Sequence, residues 1–166
     1  FDLARIGIMQ YGFWPSKQVK IAFMVNSKNQ TDPLQRVISW KSKVLSIKKI
    51  NEGEYIGYGN AAMAEKKLKT AIVPVGYSHG YSRSLSNQGK VWIDGIRVDV
   101  MGSVNMNMII CDITDFTNIS IGDEVVLIGK QNENEISFTS FAEMNNSLNY
   151  EILARLPMNI ERNMID

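Results

Sequence analysis

Two loops in the middle of the chain each place a tyrosine beside glycine. The first reads Ile56-Gly57-Tyr58-Gly59, and the second runs from Pro74 to Arg83. Glycine lets the backbone bend sharply, so a tyrosine at such a turn is well placed to present its hydroxyl to a ligand. These loops contain the candidate site residues Tyr58, Tyr77, His79 and Arg83, and Asn107 is a further candidate elsewhere in the chain.

Each candidate also has a plainer interpretation. A lone tyrosine on a loop is more often a packed or exposed ring than an acid or base. His79 fits a solvated turn, and Arg83 fits an ordinary surface arginine. No pair of carboxylates stands out, so the residues alone indicate a ligand-binding loop and do not specify a reaction.

Composition excludes several classes of protein. The 166 residues suit one domain with a real core, and a net charge of +1 gives no electrostatic footprint for nucleic acid or an anionic membrane. Apolar runs such as residues 125–128 are too short to span a bilayer. Cys111 is the single cysteine and lies in an apolar run, which indicates a buried small side chain rather than a nucleophile. A single histidine and the lack of CxxC, HExxH and P-loop patterns argue against zinc and nucleotide sites.

The apolar pattern predicts a mainly β fold, a barrel or sandwich with one or two short helices near the C-terminus. Asp94-Gly95 predicts a hairpin turn between strands. Residues 14–34 fit a linker or a strand with loops, and residues 61–68 contain helix formers. The strands are expected at residues 3–11, 37–50, 70–75, 91–100, 104–110 and 124–128, and the helices at 137–145 and 150–156.

Six motifs in fitting order resemble the C-terminal part of the alanine racemase family. They are Arg5–Gly12, Gly53–Gly59, Val75–Arg83, Gly102–Asn107, Ile121–Gly129 and Leu148–Glu151. The resemblance implies that residues 1–12 are the end of an N-terminal α/β barrel, with its last strand. It implies that residues 13–166 are a Greek-key-like β-barrel domain. The opening at Phe1, without Met, indicates a fragment of a longer protein.

Members of this family use pyridoxal 5′-phosphate, and the resemblance gives four residues a role in holding it. Arg5 corresponds to the arginine that faces the pyridine nitrogen. Gly7 and Ile8 correspond to backbone N–H donors for the phosphate, and Tyr150 to a hydroxyl that reaches the same phosphate. The lysine that forms the Schiff base would precede Phe1, and no lysine of this chain lies in a matching motif.

The same resemblance assigns the substrate site. Racemisation needs two proton-transfer groups on opposite faces of Cα, and Tyr58 corresponds to the catalytic tyrosine that faces the lysine. A phenol ionises near pH ~10, so a tyrosine that acts as a base needs positive charge nearby. Tyr77 is implied at the substrate entrance, and the Met106 backbone N–H at the substrate carboxylate. In this family these three residues come from the second subunit of a homodimer.

The resemblance implies an isomerase that makes D-alanine for the peptidoglycan of a bacterial cell wall, located in the cytoplasm. The fragment alone is expected to be inactive, with no membrane segment. Many relatives have Cys-Met-Asp at residues 105–107, Arg at Ser103 and Asp at His79, so local charge near the substrate differs. Three alternatives therefore stay open: a broader-specificity racemase, a serine racemase attached to a membrane segment, and a non-catalytic dimerisation module.

Overall fold

A computed structural model describes residues 2–27, 31–60, 62–144 and 149–165, without the side chains of Asn60 and Glu143. The chain forms two compact units, Phe1–Ser39 and Trp40–Asp166. The boundary expected after Gly12 concerns a domain of a longer protein and stays a prediction. Within the described residues, no helix is long and apolar enough to cross a bilayer.

The first unit begins with irregular backbone and a single 3-10 turn, Ile8–Tyr11. Gly12 ends the turn with a φ of 82°, and a Cβ there would lie 1.9 Å from the carbonyl oxygen of Gln35. Glycine is thus required both by conformation and by close approach. The strand expected over residues 3–11 is not formed, because a strand needs a hydrogen-bonded neighbour and none of the unit's described residues pairs with it.

One helix, α1 (Lys17–Asn26), follows where a linker or a strand was predicted. Its N-terminus carries a recognisable capping signal, because the Ser16 hydroxyl accepts a hydrogen bond from the N–H of Val19 at 3.2 Å. The helix buries none of its residues, and its apolar side chains do not form one clear stripe. That weak periodicity is why the sequence pattern did not reveal it.

The described residues of the second unit form ten strands and two α-helices. The strands are β1 (Trp40–Lys43), β2 (Ser46–Ile50), β3 (Tyr55–Ile56), β4 (Ala62–Met63), β5 (Leu68–Val73), β6 (Lys90–Ile93), β7 (Ile96–Met101), β8 (Ile109–Asp112), β9 (Glu124–Gln131) and β10 (Asn134–Ile136). The helices are α2 (Phe138–Met144) and α3 (Asn149–Arg155). All pairings are antiparallel, in the order β1-β9-β6-β7-β8-β5-β2, with β10 on β9 and a separate β3–β4 hairpin.

The link between β1 and β2 forces the sheet to curl. These strands lie at opposite ends of the strand order, yet only Val44 and Leu45 join them. A flat path of seven strands would separate the edges by roughly 29 Å, whereas this link reaches roughly 10 Å. The N–H of Val44 donates to Asp123 O at 2.9 Å, and that of Leu45 donates to Ile72 O at 2.8 Å. The link therefore joins both edges, and the mainly β, barrel-like fold expected from the sequence is confirmed.

The individual elements agree with the sequence pattern where the signal is local. The hairpin β6–β7 turns at Asp94 (φ 48°) and Gly95 (φ 76°), as predicted. Both C-terminal helices are formed. The strand predicted over residues 104–110 is formed only as β8, because residues 102–108 bend into a loop. Of residues 61–68, which contain helix formers, residue 61 lies outside the described residues, and residues 62–68 supply β4 and the start of β5 instead of a helix.

An aromatic cluster fills part of the core. Tyr81 packs against Trp40 and Phe141, with ring centroids 6.1 Å and 5.5 Å away. Burial raises the pKa of the Tyr81 phenol, and its hydroxyl has no hydrogen-bond partner among the described residues. Cys111 is fully buried, and burial, aided by Asp99, raises its pKa to about 12, in agreement with the prediction of an inert thiol.

The contact between Gly89 and Tyr81 predicts a rescue experiment. A Cβ on Gly89 would lie 2.2 Å from the Tyr81 hydroxyl, so Gly89→Ala should lower the free energy of unfolding by about 1–3 kcal/mol. Tyr81→Phe removes the clashing and unpaired hydroxyl, so the double variant should recover most of the loss. Urea unfolding followed by tryptophan fluorescence measures all four proteins. Equal losses from Gly89→Ala in both backgrounds would contradict this contact.

In the first unit, Asp32 joins several segments. Its carboxylate accepts hydrogen bonds from Trp14 Nε1 at 3.0 and 3.1 Å and from Leu34 N–H at 3.0 Å, and it pairs with Lys20 at 2.9 Å. The Lys20 hydrogen bond, followed by the Leu34 N–H, lowers the pKa of Asp32 to about 2. A carboxyl whose pKa is lowered by folding stabilises the folded state above its ordinary pKa.

That stabilisation should disappear as the pH falls from near 4 towards 2. We expect the indole N–H resonance of Trp14 to shift over this interval in the wild type. In Asp32→Asn the resonance should start from a changed position and show no such titration, whereas the exposed control Asp115→Asn should behave like the wild type. An Asp32 carboxyl that titrates at its ordinary value would refute the assignment.

Candidate functional site

Tyr58 lies at the tip of the β3–β4 hairpin. It begins a short turn, Tyr58–Asn60, between Gly57 (φ 79°) and Gly59 (φ 76°). Both glycines occupy the left-handed region that side chains rarely adopt, so the sequence Gly-Tyr-Gly produces this tip directly. The Tyr58 side chain is 85% exposed, which makes it one of the most accessible large residues of the chain.

The base of this hairpin is fixed while its tip is exposed. Ile56 is 2% exposed and packs in a small apolar cluster with Ala64 and Leu68. The N–H of Gly53 donates to Ala64 O at 2.8 Å, and the N–H of Ala64 donates to Glu54 O at 2.9 Å. The sheet thus orients the hairpin through Ile56 and leaves the Tyr58 phenol exposed.

Tyr77 and Met106 lie on two loops that are bonded to each other. The N–H of Tyr77 donates to Asn105 O, and the N–H of Ser78 donates to Met106 O, both at 3.0 Å. Ser78 Oγ lies 2.7 Å from Met106 O and 2.8 Å from Asn107 Oδ1. The structure therefore brings together two residues that the resemblance had placed at the substrate.

Both side chains face outward from this junction. Tyr77 is 43% exposed and Met106 is 54% exposed. The alternating pattern around Met106 favours a core side chain when read alone, and its exposure contradicts that interpretation. The loop leaves the strand pattern after Gly102 (φ 70°), so the alternation of buried and exposed residues stops there.

His79 has a structural role in the Tyr77 loop. Its Nδ1 accepts a hydrogen bond from the N–H of Gly76 at 3.1 Å, which closes the turn Tyr77–His79. Arg83 is exposed and begins the next turn, Arg83–Leu85. The plainer interpretations of both residues as loop residues agree with their positions.

Tyr150 lies in α3 and is 54% exposed. The C-terminal end of this helix meets the Tyr77 loop, since a Cβ on Gly80 would lie 3.2 Å from Arg155 O. The Met106 loop begins near Gly102, and a Cβ on Gly102 would lie 3.7 Å from Ile56 Cγ2 at the base of the Tyr58 hairpin. The segments that carry Tyr58, Met106, Tyr77 and Tyr150 are consequently neighbours in the second unit.

Arg5, Gly7 and Ile8 belong to the first unit. Arg5 and Gly7 are exposed, whereas the side chain of Ile8 is 3% exposed. Gly7 comes directly before the turn Ile8–Tyr11 and carries no side chain that would shield its backbone. A guanidinium and backbone amides are groups that suit an anionic or aromatic nitrogen-containing ligand.

Comparison with known proteins matches the second unit to one family. The family model described as "Alanine racemase, C-terminal domain" matches residues 37–164. The alanine racemase of Halothermothrix orenii is 38% identical over 161 residues, which are 97% of this chain and 40% of that protein. The chain thus spans about two fifths of the length of the relatives it matches.

Solved structures agree with this match. Alanine racemase from Bacillus anthracis with bound L-Ala-P has a TM-score of 0.78 and 30% identity, covering 92% of this chain and 37% of that one. Alanine racemase from Bartonella henselae with covalently bound pyridoxal phosphate has a TM-score of 0.78 and 28% identity, covering 96% of this chain and 40% of that one.

The junction between the two loops depends on Gly76. A Cβ there would lie 2.2 Å from Asn105 O and 2.4 Å from Met106 O. Gly76 has an extended φ of −157°, so Gly76→Ala introduces a steric clash without conformational strain. We expect the variant to separate the loops and the amides of Tyr77 and Ser78 to exchange with solvent at least about tenfold faster.

Hydrogen exchange followed by NMR measures this effect. Gly57→Ala is a useful comparison, because its added Cβ would meet nothing within 4 Å. Its φ of 79° strains the Tyr58 hairpin alone, so the Tyr77 and Ser78 amides should keep their protection. Unchanged protection of these amides in Gly76→Ala would show that the loops are not held by this contact.

Proposed function

The chain belongs to the alanine racemase family, and we propose that it is the C-terminal part of an enzyme that interconverts L- and D-alanine with pyridoxal 5′-phosphate. The observation that carries the proposal is the 85% exposed phenol of Tyr58 on a glycine-flanked tip, in a unit that also presents the Met106 loop. An isolated acid–base group on a rigidly anchored hairpin is suited to act on a ligand held by another chain.

We propose that Arg5, Gly7, Ile8 and Tyr150 hold the cofactor, each argued within its own unit. Gly7, with Ile8 beside it, would give a phosphate close access to the backbone at the Ile8–Tyr11 turn, and Tyr150, which is 54% exposed, would contribute its hydroxyl. Arg5 would face the pyridine nitrogen, which stays unprotonated because a guanidinium does not release its proton. When bound, the cofactor supplies an electron sink that acidifies the Cα–H bond of the amino acid. The lysine that would hold it covalently matches no lysine of this chain in the family's motifs and would be supplied from outside residues 1–166.

Tyr58 would transfer a proton on one face of the substrate Cα. The proton must leave one face and return on the other, so the tyrosine and the lysine stand on opposite sides. Because Tyr58 is so exposed and its own neighbours on the hairpin are glycines, we propose that it enters the site of a second protomer in a homodimer. Each dimer would then contain two sites built from both chains.

The other two residues would bind and admit the substrate. The backbone N–H of Met106 donates to no atom of the described residues and is available to a carboxylate oxygen. The N–H of Tyr77 donates to Asn105 O, in the peptide that precedes Met106, and the Tyr77 side chain would line the substrate entrance. The loop junction thus fixes the distance between the entrance and the carboxylate site.

Replacing Tyr58 by phenylalanine in the full-length protein tests the proposal. We expect alanine racemisation to fall by about 10²–10⁴-fold, the contribution of a positioned general acid–base. Tyr55→Phe is the matched control, because Tyr55 lies on the same hairpin and is also exposed, at 60%. Its activity should stay within about twofold of the wild type.

The two faces of the substrate can be distinguished by isotope exchange. The equilibrium constant between L- and D-alanine is one. The reactions that start from L-alanine and from D-alanine must therefore have the same kcat/KM, so this parameter cannot show which direction a variant impairs. Incorporation of solvent deuterium at Cα should fall more from L-alanine than from D-alanine in Tyr58→Phe, if the tyrosine acts on the L-enantiomer. Unchanged racemisation and exchange would remove Tyr58 from the reaction.

A further inference from the structure

The junction of the Tyr77 and Met106 loops fixes the orientation of two consecutive peptide groups. The carbonyls of Asn105 and Met106 accept hydrogen bonds from two consecutive N–H groups, those of Tyr77 and Ser78, each at 3.0 Å. Donors that are neighbours in sequence lie close together, so both carbonyls point in the same direction, towards the Tyr77 loop. The close approach of Gly76 to the same two oxygens confirms this orientation.

The orientation of these carbonyls determines where the following amides point. The described peptide bonds are all trans, and in a trans peptide the C=O and the N–H point in opposite directions. The N–H groups of Met106 and Asn107 therefore both point away from the Tyr77 loop. Neither donates to another atom in the described part of the chain, and both residues are exposed.

Two adjacent backbone N–H groups that point to one side form a concave anion site. Two donors match the two oxygens of a carboxylate, and hydrogen bonds to a charged acceptor are stronger than those to a neutral one. The site requires no side chain at residues 106 and 107, so it persists although residues 105–107 read Asn-Met-Asn in this chain.

We propose that the N–H of Asn107 is a second donor to the substrate carboxylate beside that of Met106, and that Ser78 is the positioning residue for the Asn107 N–H. The assignment of the anion as an amino-acid carboxylate rests on the proposed function. The presence of a two-donor site for a small carboxylate rests on the loop geometry alone.

Ser78 contacts the junction through both its backbone and its side chain. Its N–H and its Oγ both reach Met106 O, and Oγ also lies 2.8 Å from Asn107 Oδ1. A hydroxyl has one proton, so it donates to one of these oxygens at a time. By fixing the Met106 carbonyl from two directions, Ser78 fixes the opposite end of that peptide, which is the Asn107 N–H.

The test is a titration of the isotope-labelled chain with propionate, observed at backbone amides by NMR. Propionate has the carboxylate and carbon skeleton of alanine without the amine, and propionamide is its neutral control at matched ionic strength. We expect saturable downfield shifts of the Met106 and Asn107 amide protons with propionate alone. A shift of Met106 without Asn107 would overturn the second donor, and no shift at either amide in the folded chain would overturn the site.

Variants of Ser78 test its positioning role. Ser78→Ala should raise the dissociation constant for propionate about three- to tenfold, as expected for loss of one fixing hydrogen bond. Ser78→Thr keeps the hydroxyl and should restore the affinity. Ser120→Ala is the matched control and should bind as the wild type does, because Ser120 is exposed and its hydroxyl forms no hydrogen bond with the described residues. Equal affinity of Ser78→Ala and the wild type would contradict the role of the hydroxyl.

Kinetics of the full-length protein separate this inference from the proposed function. Ser78→Ala should raise KM for alanine and Ki for propionate by the same factor, and more than it lowers kcat. A protein without racemase activity that still shows both amide shifts would refute the proposed function and retain the anion site. If the protein racemises alanine but propionate does not shift its Asn107 amide proton, the proposed function stands and the second donor is refuted.

Discussion

The two-residue link Val44–Leu45 is the constraint on which the second unit depends. Val44 is 1% exposed and hydrogen-bonds towards β9, while Leu45 hydrogen-bonds towards β5. One short peptide segment thus extends the ladder of β1 with β9 and the ladder of β2 with β5, and it holds the two outer strands of the sheet close together at this point. Closure also decides which strand ends become neighbours, and the loops that carry the candidate site connect those ends.

The core transmits this arrangement to the loops through Tyr81. Its ring is fully buried between Trp40 and Phe141, while its N–H donates to Gly76 O at 3.1 Å. Gly76 in turn contacts the carbonyls of Asn105 and Met106. The direction of the two exposed amides is consequently determined by an aromatic ring in the core and by a glycine that leaves no space between the loops. The Tyr81 hydroxyl has no hydrogen-bond partner among the described residues, so packing of the ring dominates at this position.

Turn and capping residues predicted the structure near them in sequence, but they could not predict contacts between residues that are far apart in sequence. Asp94-Gly95 and the C-terminal helices could be predicted because their turn and capping residues act within a few positions. The bend at Val44 could not, because its partners, Asp123 and Ile72, are far away in sequence. The motif resemblance assigned proposed roles to Tyr58, Tyr77, Met106 and Tyr150, and it assigned none to Ser78. No pattern at residue 78 signals a contact with Asn107, 29 positions away, that only closure creates.

In the proposed function, backbone amides of the second unit bind the substrate carboxylate and the Tyr58 side chain transfers a proton. These two groups depend on different surroundings. The Met106 and Asn107 amides are oriented by contacts within the unit, so the carboxylate affinity proposed for them would be present before any partner binds. Tyr58 is the opposite case, because its exposed phenol has only glycines beside it and the reactivity proposed for it would depend on the charges that cover it. Under the proposed function, such a chain would recognise the substrate by itself and would become an acid–base catalyst only when a second protomer surrounds its tyrosine. Dimerisation would then control proton transfer more strongly than it controls carboxylate binding.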